Sequence, residues 1–246
     1  MSLVQRFTQN TRGRDFVVGD LHGCFDYLRV MLEHIQFDRV TDRLFCVGDL
    51  VDRGPRSEEA TDWIAQPWFH AVRGNHEQMA ICVAVGQHDR DHYERNGGGW
   101  FLALPDDRRK AIGQVLDTLP VTIEIKTADG PVGIVHAEAP TEWPTLLALL
   151  EGHESISKDM RRDIIEVCLW SRERITKGDC KPIAGVSHVY VGHTPLSEPV
   201  VLGNVVYVDT GIVYGHALTM INLAEPNLPI VMHRDPASAL ARSDFT

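Results

Sequence analysis

Aspartate, histidine and asparagine side chains directly follow short apolar runs at several places in the sequence, and each could bind a metal ion. These residues are Asp20 with His22, Asp49, Asn75, His136 and His193. Asp20 and His22 are two residues apart, so in an extended backbone both side chains point to one face and can hold one ion together. The two carboxylate oxygens of Asp49 could bridge that ion to a second one, for which the remaining amide and imidazole groups are available.

The chemical types of these side chains favour particular metals. A mixture of carboxylate, imidazole and amide ligands suits Mn²⁺, Fe²⁺ or Zn²⁺ better than Ca²⁺ or Mg²⁺, which prefer oxygen ligands. Each motif alone is a weak signal, because Asp, Asn and Gly are common in turns that follow strands. Their occurrence together, each after an apolar run, favours a metal site.

The apolar runs are too short for helices and predict buried strands that position these ligands. They are Phe16–Val18, Leu44–Val47, Phe69–Val72, Val132–Val135 and Val189–Val191, with Val205–Val208 and Ala217–Leu223 following as strands joined by a Gly-containing turn. Helical segments are predicted at Phe25–Ile35, Ser57–Ala65, Glu77–Val85, Arg108–Leu116 and Arg161–Trp170. The alternation predicts an α/β fold with an antiparallel part near the end of the chain, and ligands in such sheets collect at the carboxyl ends of strands.

The domain organisation is expected to be simple. The sequence has no internal repeat or credible linker, which favours a single domain over residues 1–246. The polar, Gly-rich stretch Gly86–Gly99 is predicted to be a mobile surface loop.

Composition excludes several classes of function. With 24 Lys and Arg against 34 Asp and Glu, the net charge is −10, which disfavours a nucleic-acid binder and docking on an anionic membrane. No apolar stretch is long enough to span a bilayer, and the first residues do not form a secretory signal. The five scattered cysteines include no C-x-x-C pair, so we expect a cytoplasmic protein. The oligomeric state is left open, and a monomer is compatible with the sequence.

The order of the motifs resembles the phosphoprotein phosphatase (PPP) family of metallophosphoesterases. The motifs are G-D-L-H-G (19–23), G-D-L-V-D-R-G (48–54) and R-G-N-H-E (73–77), with two later histidines. Finer features resemble the phage-lambda-type and bacterial serine/threonine phosphatases: N-G-G-G-W-F (96–101), W-S-R-E-R (170–174), G-H-T-P (192–195) and V-D-T-G (208–211). The resemblance covers about residues 15–223 and implies a calcineurin-like β-sandwich of mixed sheets flanked by helices. Ala137 and Glu138 replace the two glycines of the eukaryotic branch, which supports the bacterial assignment.

The resemblance also implies a role for individual residues. Asp20, His22 and Asp49 would hold one ion, and Asp49, Asn75, His136 and His193 the other. His76 would protonate the leaving group, Asp52 would orient His76, and Arg53, Arg73 and Arg172 would bind the phosphoryl oxygens, with Arg172 favoured over the nearby Arg174.

The implied reaction is phosphomonoester hydrolysis on phosphoserine and phosphothreonine of proteins or peptides, and also on phosphotyrosine and aryl phosphates. A hydroxide that bridges the two ions would attack phosphorus in line. Mn²⁺ is the expected metal, with Fe²⁺, Zn²⁺, Ni²⁺ and Co²⁺ as alternatives.

Two other functions remain open. Hydrolases of dinucleoside polyphosphates share this scaffold, but Ala and Asp are typical there at the positions of Asp52 and Glu77. A non-catalytic phosphoprotein-binding module is disfavoured by the complete set of ligands. The other histidines, His153 among them, are expected to be surface or packing residues, and Trp100 could edge the cleft.

Overall fold

Two mixed β-sheets form the centre of the molecule. The computed structural model describes residues 2–152 and 156–234, so His153 lies outside the described residues. One sheet contains β1 (Val4–Phe7), β5 (Thr122–Thr127), β6 (Gly130–Val135), β7 (His188–Val191), β9 (Val205–Tyr207) and β8 (Val200–Leu202), in that spatial order. The other contains β11 (Ile230–His233), β10 (Ala217–Asn222), β2 (Asp15–Val18), β3 (Arg43–Cys46) and β4 (Phe69–Ala71).

The register of the parallel strands brings their carboxyl ends to one edge of each sheet. β2 pairs with β3 in parallel, with Val18 opposite Cys46, and β3 pairs with β4 in the same sense. In the other sheet β6, β7 and β9 are parallel neighbours. The residues that follow these strands therefore meet at the same end of the two sheets.

The core lies between the sheets. Val17 and Phe45 of one sheet belong to the same buried cluster as Ile134 and Tyr190 of the other. Their strand neighbours, such as Phe16, belong to a second cluster that includes helical residues. Strands buried on both faces explain why the sequence shows continuous apolar runs rather than alternation.

Helices cover the outer faces of the sheets. They are α1 (Phe25–His34), α2 (Ala60–Ile64), α3 (Asn75–Ala84), α4 (Arg90–Tyr93), α5 (Gly99–Leu102), α6 (Asp106–Leu116), α7 (Trp143–Glu151), α8 (Lys158–Trp170) and α9 (Glu173–Lys177). The predicted α/β sandwich and its antiparallel part are confirmed, because β10 runs antiparallel to both β2 and β11. Within residues 2–152 and 156–234, no helix has the length and apolar character needed to cross a bilayer.

The predicted strands Val205–Val208 and Ala217–Leu223 are present as β9 and β10, joined by a segment that contains Gly211 and Gly215. The two strands lie in different sheets, so this segment crosses from one sheet to the other. One local prediction is wrong. The predicted loop at Gly86–Gly99 is largely helical: α4 is followed by a turn over Glu94–Gly98, kinked at Gly97, that leads into α5. The buried rings of Tyr93 and Phe101 anchor this segment despite its glycines.

Candidate metal centre

The predicted ligands meet at the carboxyl end of the sheets, beside a cavity of about 90 Å³ that is lined by His22, Asp49, Asn75 and His193 but not by Asp20 or His136. Asp20 and His22 follow β2, Asp49 follows β3, and Asn75 begins α3. His136 follows β6, and His193 follows β7. All six side chains are buried, with at most 6% of any residue exposed.

The loops that carry these residues are backbone-strained and tightly packed. The backbone φ angles of His22, Asp49 and His193 are 43°, 50° and 65°. These values lie in the left-handed region, which residues other than glycine rarely adopt. A Cβ on Gly192 would lie 1.9 Å from Oδ1 of Asp20, and one on Gly74 would lie 2.2 Å from Oδ1 of Asp49. Only glycine permits this close approach of backbone to ligand.

Backbone carbonyls fix the tautomer of three histidines. Nδ1–H of His22 donates to the carbonyl of Val51 at 2.8 Å, and Nδ1–H of His136 donates to that of Val47 at 2.8 Å. Nε2–H of His193 donates to the carbonyl of Trp170 at 3.1 Å. His22 and His193 thus present their other nitrogen in the unprotonated form that binds a metal. Nε2 of His136 lies 2.9 Å from Oδ1 of Asn75, and the charge of Asp49 raises the pKa of this ring against the effect of burial.

The ring nitrogens that do not face backbone carbonyls point toward Asp49 and Asn75. Nε2 of His136 lies 3.4 Å from Oδ2 of Asp49, and Nε2 of His22 lies 3.5 Å from the same oxygen. Nδ1 of His193 lies 3.0 Å from Oδ1 of Asn75. Two groups of three residues have ligand atoms that all lie within 4.8 Å of one another. One group is His22, Asp49 and His76, and the other is Asp49, His136 and His193. Asp49 is common to both groups.

Electrostatics make the site suitable for cations. Burial raises the pKa of Asp20 well above its usual value, and the charges of Asp209 and Asp49 raise it further. Oδ1 of Asp20 is buried without a hydrogen-bond partner. Burial lowers the pKa of both His22 and His193 to about 3, so these rings stay neutral. A buried carboxylate oxygen without a partner, near two neutral imidazoles, fits a divalent cation, which would neutralise the acids and bind the unprotonated ring nitrogens.

His76 and Asp52 form a hydrogen-bonded pair beside these ligands. Nδ1 of His76 lies 2.7 Å from Oδ2 of Asp52, and neither residue is exposed. Nε2 of His76 has no hydrogen-bond partner and lies 4.0 Å from Oδ2 of Asp49. His76 lines the cavity and Asp52 lies behind it, so the structure brings the two predicted residues together beside the candidate metal ligands.

Two of the three arginines predicted to bind phosphate line the cavity, and the third does not. Arg53 and Arg172 line the cavity, where Nη1 of Arg53 lies 2.6 Å from Nε2 of His22. Arg73 does not line it, because its guanidinium donates to the side chain and carbonyl of Asp117. We therefore correct the expectation that Arg73 binds phosphate. Arg174 is buried and donates to the carbonyl of Asp179, which leaves Arg172 as the arginine of this loop in the cavity.

Several residues at the site had no predicted role. Asp209 follows β9 and lines the cavity, and the rule that polar residues after apolar runs are ligand candidates could have found it. Tyr214 also lines the cavity, with the Arg53 guanidinium 5.6 Å from its ring centroid. Glu77 and Tyr93 contact the loops or side chains of the site over long chain separations, for which the sequence carries no local signal. Trp100, a candidate for the edge of the cleft, donates its Nε1–H to Oδ1 of Asp52.

The chain is similar to known proteins in sequence and in fold. The calcineurin-like phosphoesterase family model matches residues 16–220. The chain is 34% identical over 226 residues to serine/threonine-protein phosphatase 1 of Salmonella typhimurium, covering 90% of this chain and 97% of that protein. It is 35% identical over 150 residues to a symmetrical bis(5'-nucleosyl)-tetraphosphatase of Methylobacillus flagellatus, covering 60% of this chain and 51% of that protein. The fold resembles that of a cold-active protein-tyrosine phosphatase from Shewanella, with a TM-score of 0.61, 21% identity, and coverage of 96% and 81% of the two chains.

Proposed function

The chain belongs to the calcineurin-like phosphoesterase family, and from this premise we propose that it is a metal-dependent serine/threonine protein phosphatase. Its substrates would be phosphorylated proteins or peptides, with phosphotyrosine and aryl phosphates also accepted. The observation that supports the proposal is the His76–Asp52 hydrogen bond, because His76 lines the same cavity as four of the proposed ligands. A site with ligands alone could be a binding module, whereas the added acid pair supports turnover of phosphomonoesters.

We propose that the centre holds two divalent ions, with Mn²⁺ the first choice. Asp20, His22 and Asp49 would hold one ion, and Asp49, Asn75, His136 and His193 the other. When bound, such ions supply a nucleophilic water at neutral pH and neutralise charge on the phosphoryl oxygens. His76 is geometrically close enough to join the first group. We assign Asp20 there instead, because its buried Oδ1 lacks any partner and, unlike the imidazole of His76, would be a carboxylate oxygen whose charge the cation neutralises.

The chain's own side chains would bind the phosphoryl group and move a proton. The guanidinium groups of Arg53 and Arg172 face the cavity and suit the oxygens of a phosphate. Nε2 of His76 would give a proton to the leaving alkoxide, which is a poor leaving group without it. Asp52 would hold the ring through Nδ1–H and stabilise the imidazolium before the proton is transferred.

Hydrolysis of dinucleoside polyphosphates is the second candidate, because of the similarity to the tetraphosphatase. That match spans only about half of the relative, whereas the match to the protein phosphatase spans nearly all of it. Asp52 and Glu77, where Ala and Asp are expected in the tetraphosphatases, also favour the protein phosphatase.

A substrate panel distinguishes the two functions. The full chain, loaded with Mn²⁺, would be assayed on phosphoserine, phosphothreonine and phosphotyrosine peptides and on diadenosine tetraphosphate. We expect kcat/KM to be highest for the phosphoserine and phosphothreonine peptides. A higher kcat/KM for diadenosine tetraphosphate would contradict the proposal, and phosphopeptide binding without turnover would support the non-catalytic alternative.

Two further properties belong to this proposal. We propose that the chain acts as one domain, since the ligands come from both sheets. We also propose a cytoplasmic location, because all five cysteines are free thiols.

A further inference from the structure

The helical segment that replaces the predicted loop reaches the His76–Asp52 pair. The hydroxyl of Tyr93 donates to Oδ1 of Asp52 at 2.8 Å, and Nε1–H of Trp100 donates to the same oxygen at 2.7 Å. The other oxygen, Oδ2, faces Nδ1 of His76 at 2.7 Å. Asp52 is completely buried, so its two oxygens are satisfied by these contacts and not by bulk water.

The three contacts define the orientation of the carboxylate. Trp100 can only donate through Nε1–H, so Oδ1 of Asp52 must act as an acceptor. Hydrogen bonds to both oxygens fix the plane of the carboxylate. Held in this plane, Asp52 accepts from Nδ1–H of His76, which leaves Nε2 as the nitrogen that faces the cavity.

Glycines in the same segment permit this close contact. A Cβ on Gly98 would lie 2.4 Å from the ring of Tyr93, so a larger residue would push the ring away. Gly97 has φ of 95°, and its carbonyl accepts a hydrogen bond from the backbone N–H of Arg53 at 3.3 Å. The segment therefore contacts both the proton-transfer pair and the loop of a proposed phosphate ligand.

We propose that Tyr93 and Trp100 are positioning residues that fix Asp52, and through it His76, for protonation of the leaving group. This inference rests on the proposed phosphatase function. It differs from a packing role, because the two side chains act through single polar atoms on one carboxylate oxygen. Loss of either atom should slow the reaction most where the leaving group most needs a proton.

The test compares substrates with different leaving groups. Tyr93→Phe, Trp100→Phe and the double variant of the full chain, loaded with Mn²⁺, would be assayed on p-nitrophenyl phosphate and on a phosphoserine peptide. Nitrophenolate leaves without help, whereas the serine alkoxide requires a proton. We expect kcat for the peptide to fall by about tenfold or more, with KM changed by less than about twofold. On p-nitrophenyl phosphate we expect kcat to change by less than about threefold.

A matched control separates positioning from packing. Phe101 packs against both rings, with ring centroids 6.0 Å from Tyr93 and 5.4 Å from Trp100, but has no polar atom. Phe101→Leu should lower the thermal midpoint and affect both substrates equally. Tyr93→Phe removes one oxygen atom only, so it keeps the test possible if Trp100→Phe does not fold.

Two results would overturn the inference. One is an equal loss of kcat on both substrates in Tyr93→Phe, and the other is no loss on either. Failure of the proposed function looks different, because the wild-type chain would then show no metal-dependent turnover of either substrate.

Discussion

The carboxylate of Glu77 accepts a hydrogen bond from the backbone N–H of Asp49, with 2.9 Å between Oε2 and N. It also accepts from the backbone N–H groups of Leu50, Val51 and Gly74, and the side chain is fully buried. Glu77 thus joins the loop that carries one proposed ligand, Asp49, to the start of the helix that carries another.

Replacement of Glu77 by glutamine tests this structural role. Glu77→Gln keeps the size of the side chain, but an NH₂ group would face backbone N–H groups that need an acceptor. We expect the free energy of unfolding to fall by about 2–4 kcal/mol. Denaturant unfolding would measure it, with the exposed Glu58→Gln as a control that changes stability by less than about 0.5 kcal/mol. Equal midpoints for wild type and Glu77→Gln would contradict the role.

His76 tests the assignment of proton transfer. Because Nδ1 is held by Asp52 and Nε2 is free in the cavity, His76→Asn should lower kcat by about 10²–10⁴-fold. The bound metal, measured by elemental analysis of the same samples, should stay at the wild-type amount. Loss of metal in this variant would show that His76 is a ligand, as its distance to Asp49 allows.

The proposed binding of phosphate by Arg172 can be tested with the nearby Arg174 as a matched control. Arg172 lines the cavity and donates to the carbonyl of His193, whereas Arg174 is buried on the carbonyls of Asp179 and Lys181. Arg172→Ala should raise KM or lower kcat/KM by about tenfold or more with little loss of stability. Arg174→Ala should lower the thermal midpoint, because buried carbonyls lose their donor. The reverse pattern in steady-state kinetics and thermal unfolding would overturn the assignment.

The lowered pKa of His70 leads us to predict that the folded protein loses stability in acid. Its ring packs 4.4 Å from that of Phe7, between centroids, and burial lowers its pKa to about 4, with a further contribution from Arg43. Between pH 6.5 and 4 the unfolded chain binds a proton that the folded chain does not. Stability from this group is therefore complete above about pH 6.5 and falls toward pH 4, by up to about 3 kcal/mol.

Urea unfolding as a function of pH checks this prediction. His70→Gln should show a flatter dependence than wild type between pH 6.5 and 4, at the same metal concentration. The exposed His216→Gln should keep the wild-type slope. Parallel curves for wild type and His70→Gln would rule out His70 as the source.

The sequence predicts the central strands and the order of the ligands, because both depend on local pattern. Runs such as Val189–Val191 are apolar since the strand is buried on both faces, and the polar residue after each run marks the carboxyl edge. Sheet membership is not local, so the sequence predicts β9 and β10 as strands but does not indicate that they lie in different sheets.

The sequence also does not predict the direction in which a side chain points. Arg73 stands beside a ligand motif, yet its guanidinium turns to Asp117, and nothing in R-G-N-H-E specifies that choice. Tyr93 and Trp100 are more than 40 residues from Asp52, so their contacts arise only in the folded chain. Helix α3 begins at Asn75, two residues before the predicted start, because polar residues in a first turn resemble a loop.

The central claim is that bound divalent ions are required for phosphatase activity, and the metal dependence of turnover tests it most directly. The full chain would be treated with a chelator, dialysed, and titrated with Mn²⁺ while turnover of a phosphoserine peptide and bound metal are measured together. We predict that the stripped protein is inactive and that activity returns as about two ions bind per chain. Turnover that persists in the stripped protein, or fails to return when the ions bind, would contradict the account.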